Sequence, residues 1–207
     1  QAFVHPGTVN KLVIDFFGGG ACWNQSTCSV ADAIFEDSVD PIRDAIEAEL
    51  YVGIYDRDHE ANPFRDWWHV VVPYCTGDVH WGNSSQLYGS GLNSFVIEHK
   101  GAVNSRAVLD WVYANFRAPE QIFVTGCSAG SYGSALWSAD IMRQYGKVEL
   151  IIPDRFKGEA NLAVAMMPPS EIGVSKQRLA PCLAISPSVA RKTPPKYPTS
   201  SPNTRTF

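Results

Sequence analysis

The chain has 207 residues, of which 45% are hydrophobic, 12% aromatic and 18% charged. This balance suits one globular domain and excludes a wholly disordered chain, a collagen and a coiled coil. No apolar run approaches the roughly 18 residues of a membrane span, and a formal net charge of −4 gives no reason to expect nucleic-acid binding.

The composition divides the chain into two unlike parts. Residues 1–156 contain 10 Lys and Arg against 19 Asp and Glu, a net of −9, whereas residues 157–207 contain 7 against 2, a net of +5. The second part also holds eight of the 14 prolines, which remove backbone donors and oppose regular structure. We therefore expect residues 1–156 to be the N-terminal part of a folded domain, and residues 157–207 to be an irregular, disordered tail.

Strands and helices are predicted to alternate along the first part. In chain order, the patterns indicate a strand at 11–17, a helix at 40–50, a strand at 68–75, a helix at 104–116, a strand at 121–125 and a helix at 131–145. Pro73 marks the end of its strand or an edge position. The alternation favours an α/β fold with a mostly parallel sheet.

A G-x-S-x-G sequence lies between the last predicted strand and helix, as Gly126-Cys127-Ser128-Ala129-Gly130. Such a sequence is typical of a strained strand-to-helix bend that presents a nucleophilic serine, and its glycines let the strand and helix approach closely. A tight structural turn is the alternative interpretation. The flanking strand and helix favour the nucleophile.

A glycine-rich stretch, residues 18–21, follows the first predicted strand. In α/β-hydrolases a loop at this place aims backbone N–H groups at the oxyanion of the reacting carbonyl, and the residue after the nucleophile, here Ala129, supplies another N–H. The alternative is a flexible turn. A phosphate-binding loop is excluded because no Gly-Lys-Ser/Thr follows and the spacing is not G-x-G-x-x-G.

Polar side chains follow the strand predicted at 68–75. Asp78, His80 and the neighbouring Trp81 come after its carboxyl end, and the carboxyl ends of parallel strands line the binding site. We therefore expect these residues to face the same cleft as Ser128 and to contact substrate. A metal is the alternative for Asp78 and His80, but Asp-x-His alone is a poor metal signal, so neither a metal nor another cofactor is expected.

Four segments together resemble the pectin acetylesterase/Notum family. They are residues 17–24, 60–64, 73–82 and 126–130, they occur in that family's order, and the resemblance covers roughly residues 10–155. It implies an α/β-hydrolase fold, a serine carboxylesterase and an exported protein. We also expect a monomer. Family substrates include acetyl esters on pectin and a fatty-acyl ester on a secreted signalling protein, so an acylated glycan or another ester is the implied partner.

The resemblance also assigns roles to individual residues. Ser128 would be the nucleophile, and the oxyanion N–H groups would come from Gly20, Ala21 and Ala129. Many plant members have Trp where Ala21 stands, so the edge of the pocket differs here. Two further residues match a cysteine pair that the family tends to bridge, Cys22 and Cys28.

The histidines depart from the family pattern. The family's triad runs Ser, then Asp, then His, but all five histidines of this chain precede Ser128. We therefore expect the chain to leave the family's frame near residue 156, through truncation, a frameshift or a mispredicted exon, which leaves the fold incomplete at its C-terminus. Serine without a base is a poor nucleophile, so we expect weak or no activity unless His80 acts as a substitute base.

Three functions remain open from the sequence. The first is a serine carboxylic-ester hydrolase of the pectin acetylesterase/Notum type that removes an O-acyl group, such as acetyl. The second is a non-catalytic α/β-hydrolase relative that binds a glycan or an acyl group. The third assigns a role as a basic interaction segment to the tail at 157–207.

Overall fold

The computed structural model describes residues 2–29, 34–40, 43, 53–146, 149–151 and 205–206. Six strands form the main sheet: β1 Phe3–His5, β2 Lys11–Phe16, β3 Trp68–Val72, β6 Gln121–Gly126, β7 Glu149–Ile151 and β8 Arg205–Thr206. A separate hairpin pairs β4 Ser84–Tyr88 with β5 Phe95–His99. The helices are α1 Gln25–Cys28, α2 Gly101–Asn115 and α3 Ala129–Tyr145, with short 3₁₀ turns at Gly53–Tyr55 and Gly91–Asn93.

The main sheet has the strand order β7-β6-β2-β3-β1-β8. Strands β7, β6, β2 and β3 are parallel, whereas β1 runs antiparallel to both β3 and β8. Phe16 at the end of β2 pairs with Gly126 on β6 and with Val72 on β3. The three strands therefore end at one edge of the sheet, which confirms the predicted α/β class with a mostly parallel sheet.

Most predicted elements are present with shifted ends. Strand β3 ends at Val72, directly before Pro73, and helices α2 and α3 begin three and two residues earlier than predicted, at Gly101 and Ala129. Strand β1 was not predicted because it has only three residues. The hairpin was not predicted because most of β4 is exposed, so its sequence lacks the alternation of apolar and polar residues that indicates a strand. The predicted helix at 40–50 lies outside the described residues apart from 40 and 43, and the predicted tail at 157–207 lies outside them apart from 205–206.

The larger hydrophobic core lies on the sheet face that both long helices cover. Alternate residues of β2 point into it, and α2 and α3 contribute the facing side chains, which are Val108, Leu109, Val112, Trp137 and Ile141. The intervening residue Val13 packs on the other face with Phe64, Trp67 and Phe123. Strand β2 is thus buried on both faces, as expected for the centre of a parallel sheet. In the described part of the chain, no helix is both long and apolar enough to cross a bilayer.

A cluster of polar side chains is buried on the face opposite the two long helices. The hydroxyl of Tyr55 donates a hydrogen bond to the carboxylate of Asp15, and Nε2 of His69 lies 3.6 Å from Oδ2 of the same carboxylate. His5 pairs with His69 across β1 and β3. Burial lowers the pKa of His5 from 6.5 to about 4, and the charges of His69 and Arg57 act in the same direction.

The depressed pKa of His5 predicts a pH-dependent stability. Between pH 6.5 and about 4, the unfolded chain binds a proton at His5 that the folded chain does not bind, so stability is lost as the pH falls through this window. We expect His5→Gln to remove roughly 2 kcal/mol of the loss in the free energy of unfolding between pH 7 and pH 4. Urea denaturation at a series of pH values measures this.

The matched control for His5 is His59→Gln, because His59 is exposed. This control should retain the wild-type dependence of stability on pH. The assignment to His5 fails if the two variants show the same dependence.

Candidate active site

Ser128 occupies a strained bend between β6 and α3. Its backbone angles are φ 54° and ψ −122°, and its side chain is exposed. Among the described residues, the non-glycine residues with a positive φ are Val79, His80 and Ser128. Such a conformation is uncommon for a residue with a Cβ atom and is characteristic of functional sites. The G-x-S-x-G sequence therefore lies on the strand, bend and helix that were predicted around it.

The two glycines of this motif bring the bend into direct contact with the end of β2. A Cβ atom on Gly130 would overlap the carbonyl oxygen of Phe16, and a Cβ atom on Gly126 would overlap the carbonyl oxygen of Gly130. Neither glycine has a positive φ, so the requirement is for space and not for an unusual backbone conformation. Only glycine fits at these two positions.

The glycine-rich loop runs alongside Ser128. A Cβ atom on Gly18 would lie 2.6 Å from the carbonyl oxygen of Cys127 and 3.3 Å from the Cβ atom of Ser128. Farther along, Gly20 has φ 72° and forms an isolated antiparallel bridge with Phe35, so the loop is held on its other side as well. The structure therefore brings together two features that the sequence places more than 100 positions apart, the glycine loop and the serine bend.

The first N–H groups of α3 are not all occupied. Gly130 N–H donates to the carbonyl of Cys127 at 2.8 Å, and Ser131 N–H donates to the carbonyl of Ser128 at 2.9 Å. The N–H of Ala129, the first residue of the helix, has no acceptor among the described residues. The start of a helix carries a partial positive charge and unpaired donors, so this N–H is available to a developing oxyanion.

Ala21 and the predicted cysteine pair follow the loop. Ala21 is half-buried, and Cys22 forms a disulfide with Cys28 across a Cα–Cα distance of 5.1 Å. The N–H of Cys22 donates to the carbonyl of Gly77 at 2.8 Å. The disulfide therefore closes the segment after the glycine loop, and the hydrogen bond joins it to the segment after β3.

Within the part of the chain that the structure describes, one group of potential metal ligands occurs, and it includes the cysteines of this disulfide. The sulfurs of Cys22 and Cys28 and a ring nitrogen of His99 lie within 4.8 Å of one another. A metal would need thiolate ligands, and the two sulfurs are bonded to each other. Both nitrogens of His99 are also occupied, by the carbonyl of Thr76 at 2.8 Å and by the hydroxyl of Tyr88 at 2.9 Å. These residues do not fit a metal in the oxidised state.

Asp78 organises its own loop and the start of α2. Its Oδ2 atom accepts from the N–H of Gly101 at 2.7 Å and from the N–H of Gly82 at 3.1 Å, and its Oδ1 atom accepts from the hydroxyl of Thr76 at 2.6 Å. A carboxylate at a helix N-terminus is also favoured by the helix dipole. Both oxygens are thus occupied by protein donors, so Asp78 holds the loop after β3 in place.

His80 points into the protein and does not line an open cleft. Its side chain is 1% exposed, Nε2 lies 2.8 Å from the carbonyl oxygen of Phe17, and Nδ1 lies 3.3 Å from the hydroxyl of Ser105. Burial lowers its pKa, although the hydrogen bond to Phe17 acts in the opposite direction. With no exposed nitrogen, the ring is not placed to take a proton from Ser128, and the role of substitute base is set aside.

Trp81 is the exposed member of the predicted pocket residues. It is 52% exposed, and its ring packs edge-on against Trp137 with the centroids 5.6 Å apart. The guanidinium of Arg106 lies over Trp137, 4.7 Å from the ring centroid. A contact between Trp81 and substrate stays a prediction.

Comparison with known proteins places this architecture in a family. The sequence model described as Pectinacetylesterase matches residues 4–151. The chain belongs to the pectinacetylesterase family. A Xenopus laevis protein named palmitoleoyl-protein carboxylesterase notum2 is 26% identical over 131 residues, which are 59% of this chain and 24% of that protein.

A solved structure shows the fold. The structure of the Wnt deacylase Notum from Drosophila superposes with a TM-score of 0.50 at 20% identity, and the match covers 72% of this chain and 46% of that one. This pectinacetylesterase-family chain therefore has the α/β-hydrolase fold. It spans less than half the length of either relative.

The contact between the serine bend and β2 predicts a large effect of one methyl group. We expect Gly130→Ala to lower the free energy of unfolding by more than about 3 kcal/mol, because its Cβ atom would overlap the Phe16 carbonyl. The control is Gly91→Ala, which adds a Cβ atom in open space at φ 56° and should cost about 1 kcal/mol through backbone strain alone. Equal losses in urea denaturation would contradict the packing argument.

The three hydrogen bonds of Asp78 predict that its loss is costly. We expect Asp78→Ala to lower the free energy of unfolding by roughly 2–4 kcal/mol, because the donors of Gly82, Gly101 and Thr76 lose their acceptor. Asp78→Asn, which keeps one oxygen, should lose less. Asp66→Ala removes an exposed carboxylate and should stay within about 0.5 kcal/mol of wild type. Thermal or urea denaturation compares the stabilities of the three variants. An equal loss in Asp78→Ala and Asp66→Ala would refute the role of Asp78 in holding the loop.

Proposed function

We propose that this protein hydrolyses a carboxylic ester with Ser128 as its nucleophile. The observation that carries the proposal is the conformation of Ser128, exposed at φ 54° and ψ −122° on a bend that only glycines can flank. Strain of this kind persists only where the surrounding structure maintains it. Membership of the pectinacetylesterase family supports the same chemistry.

The geometry supports acyl transfer through a covalent intermediate. The Ser128 oxygen attacks the ester carbonyl while its proton passes to a water molecule, and the negative charge that develops on the carbonyl oxygen is stabilised by the N–H of Ala129 and by N–H groups of the loop, from Gly20 and Ala21. Collapse of the intermediate breaks the ester C–O bond, and the departing oxygen takes a proton from water and leaves as the alcohol, with the acyl group on Ser128. A second water then hydrolyses the acyl-serine, which releases the acid and restores the hydroxyl. Among the described residues, no group hydrogen-bonds the Ser128 hydroxyl, so it is free to receive substrate.

The substrate class follows from the family. We propose an O-acyl ester, such as an acetyl ester on a glycan, as the substrate, since the family model is that of pectinacetylesterase and a relative is named a palmitoleoyl-protein carboxylesterase. The buried Cys22–Cys28 disulfide supports an oxidising, extracytoplasmic location.

The second candidate is a relative that binds a glycan or an acyl group without turning it over. One observation favours it: His80, which the sequence predicts to face the cleft of Ser128, is buried with both ring nitrogens occupied. In this case Ser128 would shape a binding pocket but would not react.

Hydrolysis of p-nitrophenyl acetate by the full chain separates the two. We expect a slow rate above background, because the described residues place no base beside Ser128, and Ser128→Ala should lower it to background because the variant lacks the attacking oxygen. A fluorophosphonate probe should label the wild type, with the adduct mapped to Ser128 by mass spectrometry. Ser85→Ala, an exposed serine on the hairpin, is the control and should retain the wild-type rate.

The outcomes point to different functions. A rate that Ser128→Ala leaves unchanged refutes the nucleophile. Absence of both hydrolysis and labelling, together with saturable binding of an acetylated glycan, would assign the protein to the binding class instead.

A further inference from the structure

His80 connects the glycine loop to two helices. It lies between β3 and β4, and its Nε2 atom lies 2.8 Å from the carbonyl oxygen of Phe17, the residue between the end of β2 and Gly18. Its Nδ1 atom lies 3.3 Å from the hydroxyl of Ser105 on α2. The ring thus contacts the backbone at the point where the strand becomes the loop.

The hydrogen bonds define which ring nitrogen carries the proton. A carbonyl oxygen only accepts, so Nε2 is protonated and donates to Phe17, and Nδ1 accepts from the hydroxyl of Ser105. Ser105 is fully buried, and His80 is 1% exposed. Burial lowers the pKa of His80, so the neutral ring with this single tautomer is maintained.

The same residue contacts the helix that Ser128 begins. A Cβ atom on Gly133 would lie 2.7 Å from Cδ2 of His80, and the indole N–H of Trp137 donates to the backbone carbonyl of His80 at 3.0 Å. Phe16, at the end of β2, packs edge-on against the imidazole with the ring centroids 5.2 Å apart. His80 therefore contacts both the end of β2 and the N-terminal part of α3.

The backbone around His80 is held in an unusual conformation. His80 has φ 67° and Val79 has φ 52°. The hydroxyl of Tyr74 accepts from the N–H of Val79 at 2.8 Å, and the Asp78 carboxylate holds the same segment. A positive φ in a residue other than glycine is strained, and it persists only where the surrounding structure maintains it. In His80 this conformation accompanies the contact between the imidazole and the Phe17 carbonyl, directly before the glycine loop.

We propose that His80 is a positioning residue that fixes the Gly18–Gly20 loop against Ser128 through the hydrogen bond from its Nε2–H to the Phe17 carbonyl. The residue contacts neither substrate nor the reacting atoms. Its consequence for catalysis rests on the proposed esterase function, whereas its effect on the loop does not.

Amide hydrogen exchange tests the effect on the loop directly in the full chain. His80→Phe keeps an aromatic ring but removes the donor, and we expect exchange to rise at least about tenfold at Phe17 and Cys22, whose N–H groups are hydrogen-bonded to Val72 and Gly77 on either side of the loop. His80→Gln carries an amide N–H that can reach the same carbonyl, so we expect exchange within about threefold of wild type. If His80→Phe does not fold, His80→Asn replaces it, because Asn tolerates a positive φ but is shorter.

A second buried histidine provides the matched control. His69 is 5% exposed and lies on β3, on the sheet face opposite the two long helices, beside Asp15. His69→Phe should lower stability but leave exchange at Phe17 and Cys22 within about threefold of wild type. The proposal is overturned if a folded His80→Phe or His80→Asn leaves this exchange unchanged, or if His69→Phe raises it as much.

Kinetics add a readout that general destabilisation does not move. We expect His80→Phe to lower kcat for p-nitrophenyl acetate, per fluorophosphonate-titrated Ser128, by about 10- to 100-fold with KM within about threefold, since a misplaced donor weakens the transition state selectively. His80→Gln should restore most of kcat. Unchanged kcat per titrated site in His80→Phe would overturn the catalytic part. If the wild type shows no Ser128-dependent turnover, the esterase function fails, and the exchange measurement still decides the positioning role.

Discussion

The absence of a side chain at Gly130 is the constraint on which the site depends. Because Gly130 lies against the Phe16 carbonyl, the helix that follows Ser128 can start directly on the end of the central strand. That strand is buried on both faces and paired with β3 and β6, so it is held firmly within the sheet. Ser128 is thereby fixed to a rigid support, which its proposed role as a nucleophile would require.

The loop beside Ser128 has no such intrinsic rigidity. Three glycines in succession permit many backbone conformations, so its position must be set by neighbouring groups. The bridge between Gly20 and Phe35, the imidazole of His80 and the disulfide after the loop each hold a different point of it. A flexible sequence is thus kept in one place by contacts from elements that are distant along the chain.

The sequence was most informative where chemistry and local geometry coincide. The G-x-S-x-G motif predicted its strand, bend and helix because its glycines are required where two backbone segments approach closely. The alternation of strands and helices along the chain predicted the α/β class. The directions in which the side chains of Asp78 and His80 point could not be predicted in this way. The positive φ of His80 has no sequence signature, since few non-glycine residues adopt such a conformation. The hydrogen-bond partners of His80 are a backbone carbonyl and a serine 25 positions away.

The pairing of Phe16 with Gly126 has a consequence for how the chain is made. The two residues are 110 positions apart in the sequence (126 minus 16), so the loop leaves the ribosome before the serine bend by roughly 5 to 20 s at ordinary rates of synthesis. During that interval the apolar strand before the loop lacks its neighbour β6. Contacts of such long range also slow folding. The two halves of the site are therefore synthesised separately and meet only after β6 has emerged.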